Sequence, residues 1–178
     1  MDTDHQVIDV WGYHGTCASA ADSILRNGFK LSQNEYDWLG DGIYFFQDAP
    51  ERAWEWAQHR WPSEPAVLKS RLRLEDCMDL LDSGWSSLLA DAYDQFLKRM
   101  NRAGLSVPRQ TMGAHRLDRY VINFAVGMLG EAGIQIRAVR GAFLEGAPVF
   151  PNSFLFDRAH VQIAIRDVDL IMFSERAR

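Results

Sequence analysis

Two short phrases in the first fifty residues combine a polar ring with glycine. Residues 13–16 read Tyr-His-Gly-Thr, and residues 40–45 read Gly-Asp-Gly-Ile-Tyr-Phe. Each lies at an apolar run that predicts a strand, and glycine lets a ligand approach the backbone closely because it carries no side chain. The two phrases therefore predict strands that end at a binding site, with His14 and Tyr44 as its polar rings.

The stretch between the phrases has the pattern of a helix followed by a loop. Apolar residues recur at helical spacing from Ala21 to Phe29, and an Asn-Gly pair just before Phe29 is a stop signal. Residues 30–39 are polar and aromatic, so we expect a loop that covers one side of a ligand held by His14 and Tyr44. The predicted order is strand, helix, loop, strand.

This series resembles the donor site of the ADP-ribosyltransferase superfamily, in its poly(ADP-ribose) polymerase-like branch of His-Tyr-Glu type. That branch has a His-Gly-(Ser/Thr) phrase, a helix ending in Gly-Phe or Gly-Leu, a Gly-x-Gly-Ile-Tyr-Phe phrase and a helix with small and aromatic residues. All four occur here in this order, and the resemblance covers roughly residues 7–81 and 134–173. It implies an α+β fold, a split β-sandwich of about six to eight strands with flanking helices and an NAD cleft between its halves.

The resemblance also implies roles for individual residues. His14 corresponds to the family histidine that hydrogen-bonds the adenosine-side ribose of NAD. Gly15 corresponds to the residue whose backbone holds the nicotinamide amide, and Tyr44 to the ring that stacks on nicotinamide. Thr16 and Gly42 lie in the same phrases and are further candidates for NAD binding.

A second aromatic ring over nicotinamide is expected from the next predicted helix, for which Pro50 favours a first turn and Pro62 marks the end. Trp54 and Trp56 compete for this role, and the sequence leaves the choice open. Tryptophans in a helix are more often core packing than ligand contacts.

The third catalytic position of the family falls on Gln162. The family strand reads (Asn/His)-Glu-Tyr-(Ile/Val)-(Val/Ile)-Tyr-Asp, and aligning it with the strand that His160 opens places the family glutamate at Gln162. Cleavage of NAD at the nicotinamide ribose passes through an oxocarbenium-like state, beside which a hydrogen-bond acceptor is useful. A glutamine oxygen orients the ribose but carries no charge and cannot serve as a general base. We therefore expect transfer of a single ADP-ribose in place of chain elongation.

Glu145 is the candidate for the acceptor side, because it lies in the loop before the last strands, where related enzymes meet their acceptor. Asp41 and Glu35 are weaker candidates, and all three acids also fit the description of solvated loop residues. Arg140 and Asn152 are candidates for a contact with the NAD phosphate or the acceptor, but no sequence spacing supports this role for either residue. No cysteine, histidine or acidic spacing indicates a metal site, so none is predicted.

Residues 83–133 depart from the family pattern and predict a helical insertion. Apolar stripes run from Ser86 to Met100 and from Leu117 to Leu129. The basic residues between and around them are Arg99, Arg102, Arg109, His115, Arg116 and Arg119. Such charges are more often a solvated face, and the alternative is a recognition patch for an acidic partner, a nucleic acid or an inhibitory protein. Elsewhere, alternating apolar residues predict strands at 6–14, 66–74, 134–143, 160–167 and 170–173, and a short one at 77–81.

Length and charge limit the classes of protein that fit. A chain of 178 residues with 47% hydrophobic content predicts one domain with its own core. A net charge of −5 gives no global positive field for nucleic acid or an anionic membrane, although a local basic groove stays possible. Two unpaired cysteines, an acidic start and no long apolar run predict a protein that does not span a membrane and is cytoplasmic.

The sequence thus predicts an NAD-dependent mono-ADP-ribosyltransferase that releases nicotinamide and modifies a macromolecular acceptor, protein or nucleic acid. Its small size and the glutamine suggest, by analogy, a bacterial toxin or defence-type enzyme with an antitoxin or immunity protein as partner. Two alternatives stay open: a catalytically silent module that binds NAD or ADP-ribose, and an RNA 2′-phosphotransferase-like enzyme. The second needs basic residues for RNA phosphate, whereas the sequence around His14 and Tyr44 is acidic.

Overall fold

The computed structural model describes residues 7–111 and 115–178, and within them it contains seven strands and four helices. The strands are β1 (Ile8–Cys17), β2 (Ile43–Gln47), β3 (Pro65–Leu74), β4 (Cys77–Asp79), β5 (Ala138–Phe143), β6 (His160–Ile165) and β7 (Ile171–Arg176). The helices are α1 (Ala18–Asn27), α2 (Pro50–Arg60), α3 (Gly84–Arg102) and α4 (Arg116–Glu131). A short 3₁₀ turn, Val168–Leu170, precedes β7.

The strands form one hydrogen-bonded sheet in the order β4-β5-β6-β2-β1-β3-β7. All neighbouring pairs are antiparallel except β4 and β5, which are parallel. The predicted mixed α+β class is confirmed. Its finer form, a split β-sandwich, stays a prediction.

The ladder between β1 and β2, in the middle of the sheet, is short. Only Gly12 with Gln47 and Tyr13 with Phe46 are paired, whereas β1 pairs with β3 over its whole length. Gly12 leaves room for the side chains packed beneath it, because a Cβ there would lie 2.9 Å from Phe45 Cβ on β2 and 2.5 Å from Leu72 Cδ1 on β3. Among the described residues the β1–β2 pairing does not continue past these two pairs, and His14 and Tyr44, which lie beyond them, line the cavity described below.

The core has buried clusters on both faces of the sheet, and β6 shows why. Ile163 and Ile165 pack with Phe45, Leu72 and Leu170 in one cluster. Ala164, which points to the opposite face, belongs to a second cluster with Leu39, Met78, Ala92, Ile122, Ala125, Ile136 and Val139. Helices α3 and α4 contribute to the second cluster, so β6 is covered by apolar side chains on both faces, and each fully buried Leu, Ile or Phe contributes roughly 1.5–3 kcal/mol.

The segment predicted as a helical insertion contains α3 and α4, which pack against each other and against the second cluster. Residues 112–114, which belong to the predicted basic segment, lie outside the described residues. Within the described residues, none of the helices has the length and apolar composition needed to cross a membrane.

Candidate functional site

Three adjacent strands bring His14, Tyr44 and Gln162 to one cavity of about 740 Å³. His14 lies on β1, Tyr44 on β2 and Gln162 on β6. The volume falls within the range of small-molecule sites, roughly 300–1,000 Å³. The sequence therefore identified three residues, far apart in the chain, that share one crevice.

The other predicted site residues divide into two groups. Gly15, Trp56 and Glu145 line the cavity together with the three residues above. Thr16, Gly42 and Trp54 are not among the lining residues, so the cavity gives no support to their predicted contact with NAD. Gly42 is pressed against the backbone of Ala164 and Ile165, and the Trp54 ring lies under the Arg178 guanidinium at 5.6 Å. Of the two competing tryptophans, Trp56 is the one that faces the cavity.

His14 is held as a neutral imidazole with one free nitrogen. Its Nδ1 donates to the Tyr44 carbonyl oxygen at 2.8 Å, which bridges β1 and β2 just beyond their last backbone pair. The ring also packs edge-on against Phe29 and tilted against Phe45. Burial lowers the pKa of His14, and the Tyr44 carbonyl opposes this only in part. Because Nδ1 carries the proton, Nε2 presents a lone pair that can accept a hydrogen bond from a hydroxyl group.

Tyr44 uses its hydroxyl group inside the protein. The hydroxyl accepts a hydrogen bond from the Leu39 amide and donates one to the Gly40 carbonyl oxygen, both at 2.8 Å. Burial raises the pKa of Tyr44, and the neighbouring Asp37 carboxylate adds to the effect, so the phenol stays protonated. With both roles of the hydroxyl taken, the ring is the part of Tyr44 that a ligand contacts.

Gln162 is hydrogen-bonded on both sides of its amide. Its Oε1 accepts from the Trp38 indole Nε1 at 2.8 Å, and its Nε2 donates to His160 Nε2 at 2.8 Å. His160 in turn donates from Nδ1 to the Arg158 carbonyl oxygen at 2.7 Å. His160 therefore joins the Gln162 side chain to the backbone that precedes β6.

Glu145 forms an ion pair with Arg52 across the cavity. Its Oε2 lies 2.6 Å from Arg52 Nη2, and Arg52 also pairs with Glu55. Arg52 Nε is buried and has no hydrogen-bond partner among the described residues. The pairing holds the carboxylate of Glu145 at the cavity wall, and Arg52 is shared between the carboxylates of Glu145 and Glu55.

Asp41 supports the second glycine phrase through contacts with α4. Its Oδ1 accepts from Arg119 Nε at 3.0 Å, Arg119 Nη2 at 2.7 Å and Asn123 Nδ2 at 3.0 Å. Arg166 donates to the Asp41 carbonyl oxygen at 2.8 Å. Asp41 and Arg119 are therefore structural partners, and neither belongs to the solvated face that their sequence context suggested.

The remaining acidic and basic candidates have ordinary structural contacts. Glu35 pairs with Arg116 at an exposed position. Arg140 donates to Gln47 at 2.7 Å and to Asp79 at 2.6 Å, which ties β5 to β2 and β4. Cys17 and Cys77 are free thiols. In residues 7–111 and 115–178, no group of three or more histidine, cysteine or acidic side chains could hold a metal ion.

No protein-family model and no curated protein matches the chain.

The chemistry that the cavity supports follows from its aromatic lining. The lining rings are Tyr36, Trp38, Tyr44, Phe45, Phe46, Trp56, Trp61 and Phe143. Planar heteroaromatic groups stack on such rings, and a stacked nucleobase gains about 1–3 kcal/mol per ring. The lining also contains one permanent cation, Arg52, which is already paired with glutamate, so the cavity suits a planar ligand better than a polyanion.

The loop predicted at residues 30–39 to cover a ligand does line the cavity, but the individual contacts of its side chains, and Arg52, were not predicted. Arg52 lies one helical turn before Trp56 on α2, and this i, i+4 spacing would have identified it as facing the same cavity. Trp38 comes from an irregular loop, where no period indicates which side chains point inward. Asp37 also lines the cavity, where burial raises its pKa against the opposing hydrogen bonds from Ser32 and Asn34.

Proposed function

We propose that the protein is an NAD-dependent mono-ADP-ribosyltransferase with an ADP-ribosyltransferase-like fold. The observation that carries the proposal is the convergence of His14, Tyr44 and Gln162 on one aromatic cavity. The resemblance of the surrounding phrases supplies the ligand, and the geometry is compatible with it.

The nicotinamide end of NAD would bind between rings. Tyr44, Trp56 and Gly15 all line the cavity, and Gly15 is packed directly on α2 beside Trp56. In this arrangement the backbone of Gly15 holds the carboxamide and the two rings hold the pyridinium. A nicotinamide gripped in this way is stabilised as the leaving group.

The two riboses would be fixed by His14 and Gln162. His14 Nε2 accepts from a hydroxyl of the adenosine-side ribose. Gln162 Oε1 keeps one lone pair beyond its bond to Trp38, and this lone pair accepts from the nicotinamide-side ribose. The bond between the ribose C1′ and the nicotinamide nitrogen breaks with its electron pair going to nicotinamide. The acceptor nucleophile then bonds C1′, and its proton passes to water.

The acceptor proton would not leave through Gln162, since an amide is not a base. Glu145 lies at the cavity wall, where its carboxylate is paired with Arg52. We therefore propose transfer of one ADP-ribose to a macromolecular acceptor, without chain elongation. A role in the cytoplasm as a bacterial toxin or defence enzyme, controlled by an antitoxin or immunity protein, is proposed by analogy alone.

The first test is a titration with NAD in which tryptophan fluorescence is the readout, because Trp38, Trp56 and Trp61 line the cavity. We expect saturable quenching, and nicotinamide release when cell extract supplies an acceptor. His14→Ala should lower the rate of release at least about a hundredfold, a typical loss for a group that positions the reacting substrate. His59→Ala, at an exposed position on α2 outside the cavity, is the matched control. Absence of NAD binding would contradict the proposal.

The second candidate is a catalytically silent module that binds NAD or ADP-ribose. The observation in its favour is that both polar atoms of the Gln162 amide are bonded within the protein. Saturable NAD binding without nicotinamide release in any extract would favour it. If release occurs, labelled NAD in lysate, with nuclease and protease digestion compared, will identify the acceptor class.

A further inference from the structure

A single arrangement of protons satisfies the hydrogen-bond chain through Gln162. The chain runs from Trp38 Nε1 to Gln162 Oε1, from Gln162 Nε2 to His160 Nε2, and from His160 Nδ1 to the Arg158 carbonyl oxygen. An indole nitrogen only donates and a carbonyl oxygen only accepts. Trp38 therefore fixes which end of the amide is oxygen, and Arg158 fixes Nδ1 of His160 as the protonated nitrogen.

The same chain requires a neutral His160. Its Nε2 must offer a lone pair to the Gln162 amide, which an imidazolium does not have. His160 is 8% exposed and packs against the rings of Phe46 and Phe143. Burial lowers its pKa, and Arg52 acts in the same direction, while the Arg158 carbonyl, Glu145 and Glu55 oppose it. Geometry and burial thus agree on the neutral form.

We infer that His160 is a positioning residue that selects glutamine over glutamate at position 162, with Trp38 setting the orientation of the amide. A carboxylate at position 162 would place an acceptor oxygen against the lone pair of His160 Nε2. The contact becomes favourable only if a proton enters it, which converts His160 to an imidazolium paired with the carboxylate. The structural part of this inference stands alone, and its catalytic part rests on the proposed function.

The consequence is that glutamate at position 162 would not restore an uncompensated negative charge in this protein. The new charge would be taken up by His160, two residues earlier on the same side of β6. The pair Gln162 and His160 therefore acts as a neutral unit that orients a ribose hydroxyl without drawing a proton into the cavity.

The decisive experiment is an NMR titration of the imidazole of His160 without ligand. We expect the Nδ1–H tautomer and a pKa below the ordinary value of 6.5 in the wild type. In Gln162→Glu we expect the pKa of His160 to rise above that value, and in Gln162→Leu to stay below it. The imidazole signal that disappears in His160→Gln is assigned to His160. An Nε2–H tautomer in the wild type, or a pKa in Gln162→Glu still below 6.5, would overturn the inference.

A kinetic experiment tests the catalytic part. His160→Phe keeps an aromatic ring between Phe46 and Phe143 but removes the acceptor for the Gln162 amide. We expect kcat for nicotinamide release to fall about tenfold, the typical effect of one lost hydrogen bond, while KM for NAD changes by less than about threefold. His160→Gln restores an acceptor oxygen and should recover most of the loss, and His59→Phe is the control.

The two experiments fail in different ways. If the wild type releases no nicotinamide, the proposed function fails, but the NMR titration still reports on His160. If release is normal in His160→Phe, or no better in His160→Gln than in His160→Phe, the positioning role is wrong and the proposed function is untouched.

Discussion

At the scale of single residues, each member of the proposed site is held by the protein and keeps one group for a ligand. His14 keeps Nε2, Tyr44 keeps its ring, and Gln162 keeps one lone pair of Oε1. The sequence could identify these three because each lies in a recognisable phrase at a strand. It could not show the bonds that hold them, since Trp38 and Arg52 come from parts of the chain with no matching phrase.

Gly15 gives a prediction at this scale. A Cβ at this position would lie 2.3 Å from the Ala53 carbonyl oxygen and 3.1 Å from Trp56 Cδ1. Gly15→Ala should therefore push α2 away from β1, lowering the free energy of unfolding by about 1–3 kcal/mol, as overpacking does. Urea denaturation measures this loss, and weaker quenching by NAD should accompany it.

Gly127→Ala is the matched control for this substitution. Gly127 lies within α4, and nothing lies within 4 Å of a Cβ built there. Alanine is the better helix former by about 1 kcal/mol, so this variant should be as stable as the wild type or more stable. An equal loss of stability in both variants would contradict the close-packing argument for Gly15.

At the scale of elements, α4 determines where the second glycine phrase lies. Arg119 and Asn123 bind the side chain of Asp41, and Arg166 binds its carbonyl oxygen. Tyr44 follows three residues later, so the helical segment outside the family resemblance supports a residue inside it. A contact between residues 78 positions apart leaves no trace in local periodicity, which is why Arg119 was predicted to be part of a solvated face.

The periodicity did predict most elements, and the differences at their ends have local causes. The strand predicted from residue 134 starts at Ala138, where pairing with Cys77 of β4 begins. The strand predicted to residue 167 ends at Ile165, because the Asp167 side chain accepts from the Asp169 amide and caps the 3₁₀ turn. These ends are set by a neighbouring strand and by a cap, which an apolar pattern does not encode.

Arg119→Gln tests the role of α4. The side chains of Arg119 and Asp41 are 16% and 25% exposed, so removing the arginine leaves a largely buried carboxylate with fewer donors. We expect the free energy of unfolding in urea to fall by about 1–3 kcal/mol, the typical cost of an unsatisfied buried polar group. Nicotinamide release should fall as well, because the loop before Tyr44 loses its support.

Arg116→Gln provides the comparison on the same helix. Its ion pair with Glu35 is exposed on both sides, and such pairs contribute about 0–1 kcal/mol. Its unfolding curve should lie close to that of the wild type. Equal losses of stability in Arg119→Gln and Arg116→Gln would mean that the contact between Arg119 and Asp41 contributes no more than an exposed ion pair.

At the scale of the whole molecule, two neutral histidines, the half-buried His14 and the buried His160, make stability depend on pH. The pKa values of His14 and His160 are both lowered by burial, whereas in the unfolded chain they return to about 6.5. Below that pH the unfolded state binds more protons than the folded state. The two histidines therefore have no effect on the free energy of unfolding well above pH 6.5. As the pH falls through 6.5 toward their folded pKa values, they progressively destabilise the folded state.

We expect the free energy of unfolding to decrease between pH 7.5 and pH 5.5, by at most about 1.4 kcal/mol for each of the two histidines. Urea denaturation at the two pH values measures the change. His160→Gln should lose its share of the dependence, while His59→Gln keeps the dependence of the wild type. Comparing variants cancels the contributions of other groups, among them Asp37, whose pKa burial raises. An identical dependence in wild type and His160→Gln would contradict the buried neutral state.

The two-pair ladder between β1 and β2 gives the cavity a mechanical significance. This ladder joins the strands β4-β5-β6-β2 to the strands β1-β3-β7, and the hydrogen bond from the imidazole of His14 adds one more link between them. A small molecule that binds residues of β1 on one side and of β2 and β6 on the other adds further contacts between the two groups of strands. Occupancy of the cavity would therefore tighten the fold where its own backbone holds it most loosely.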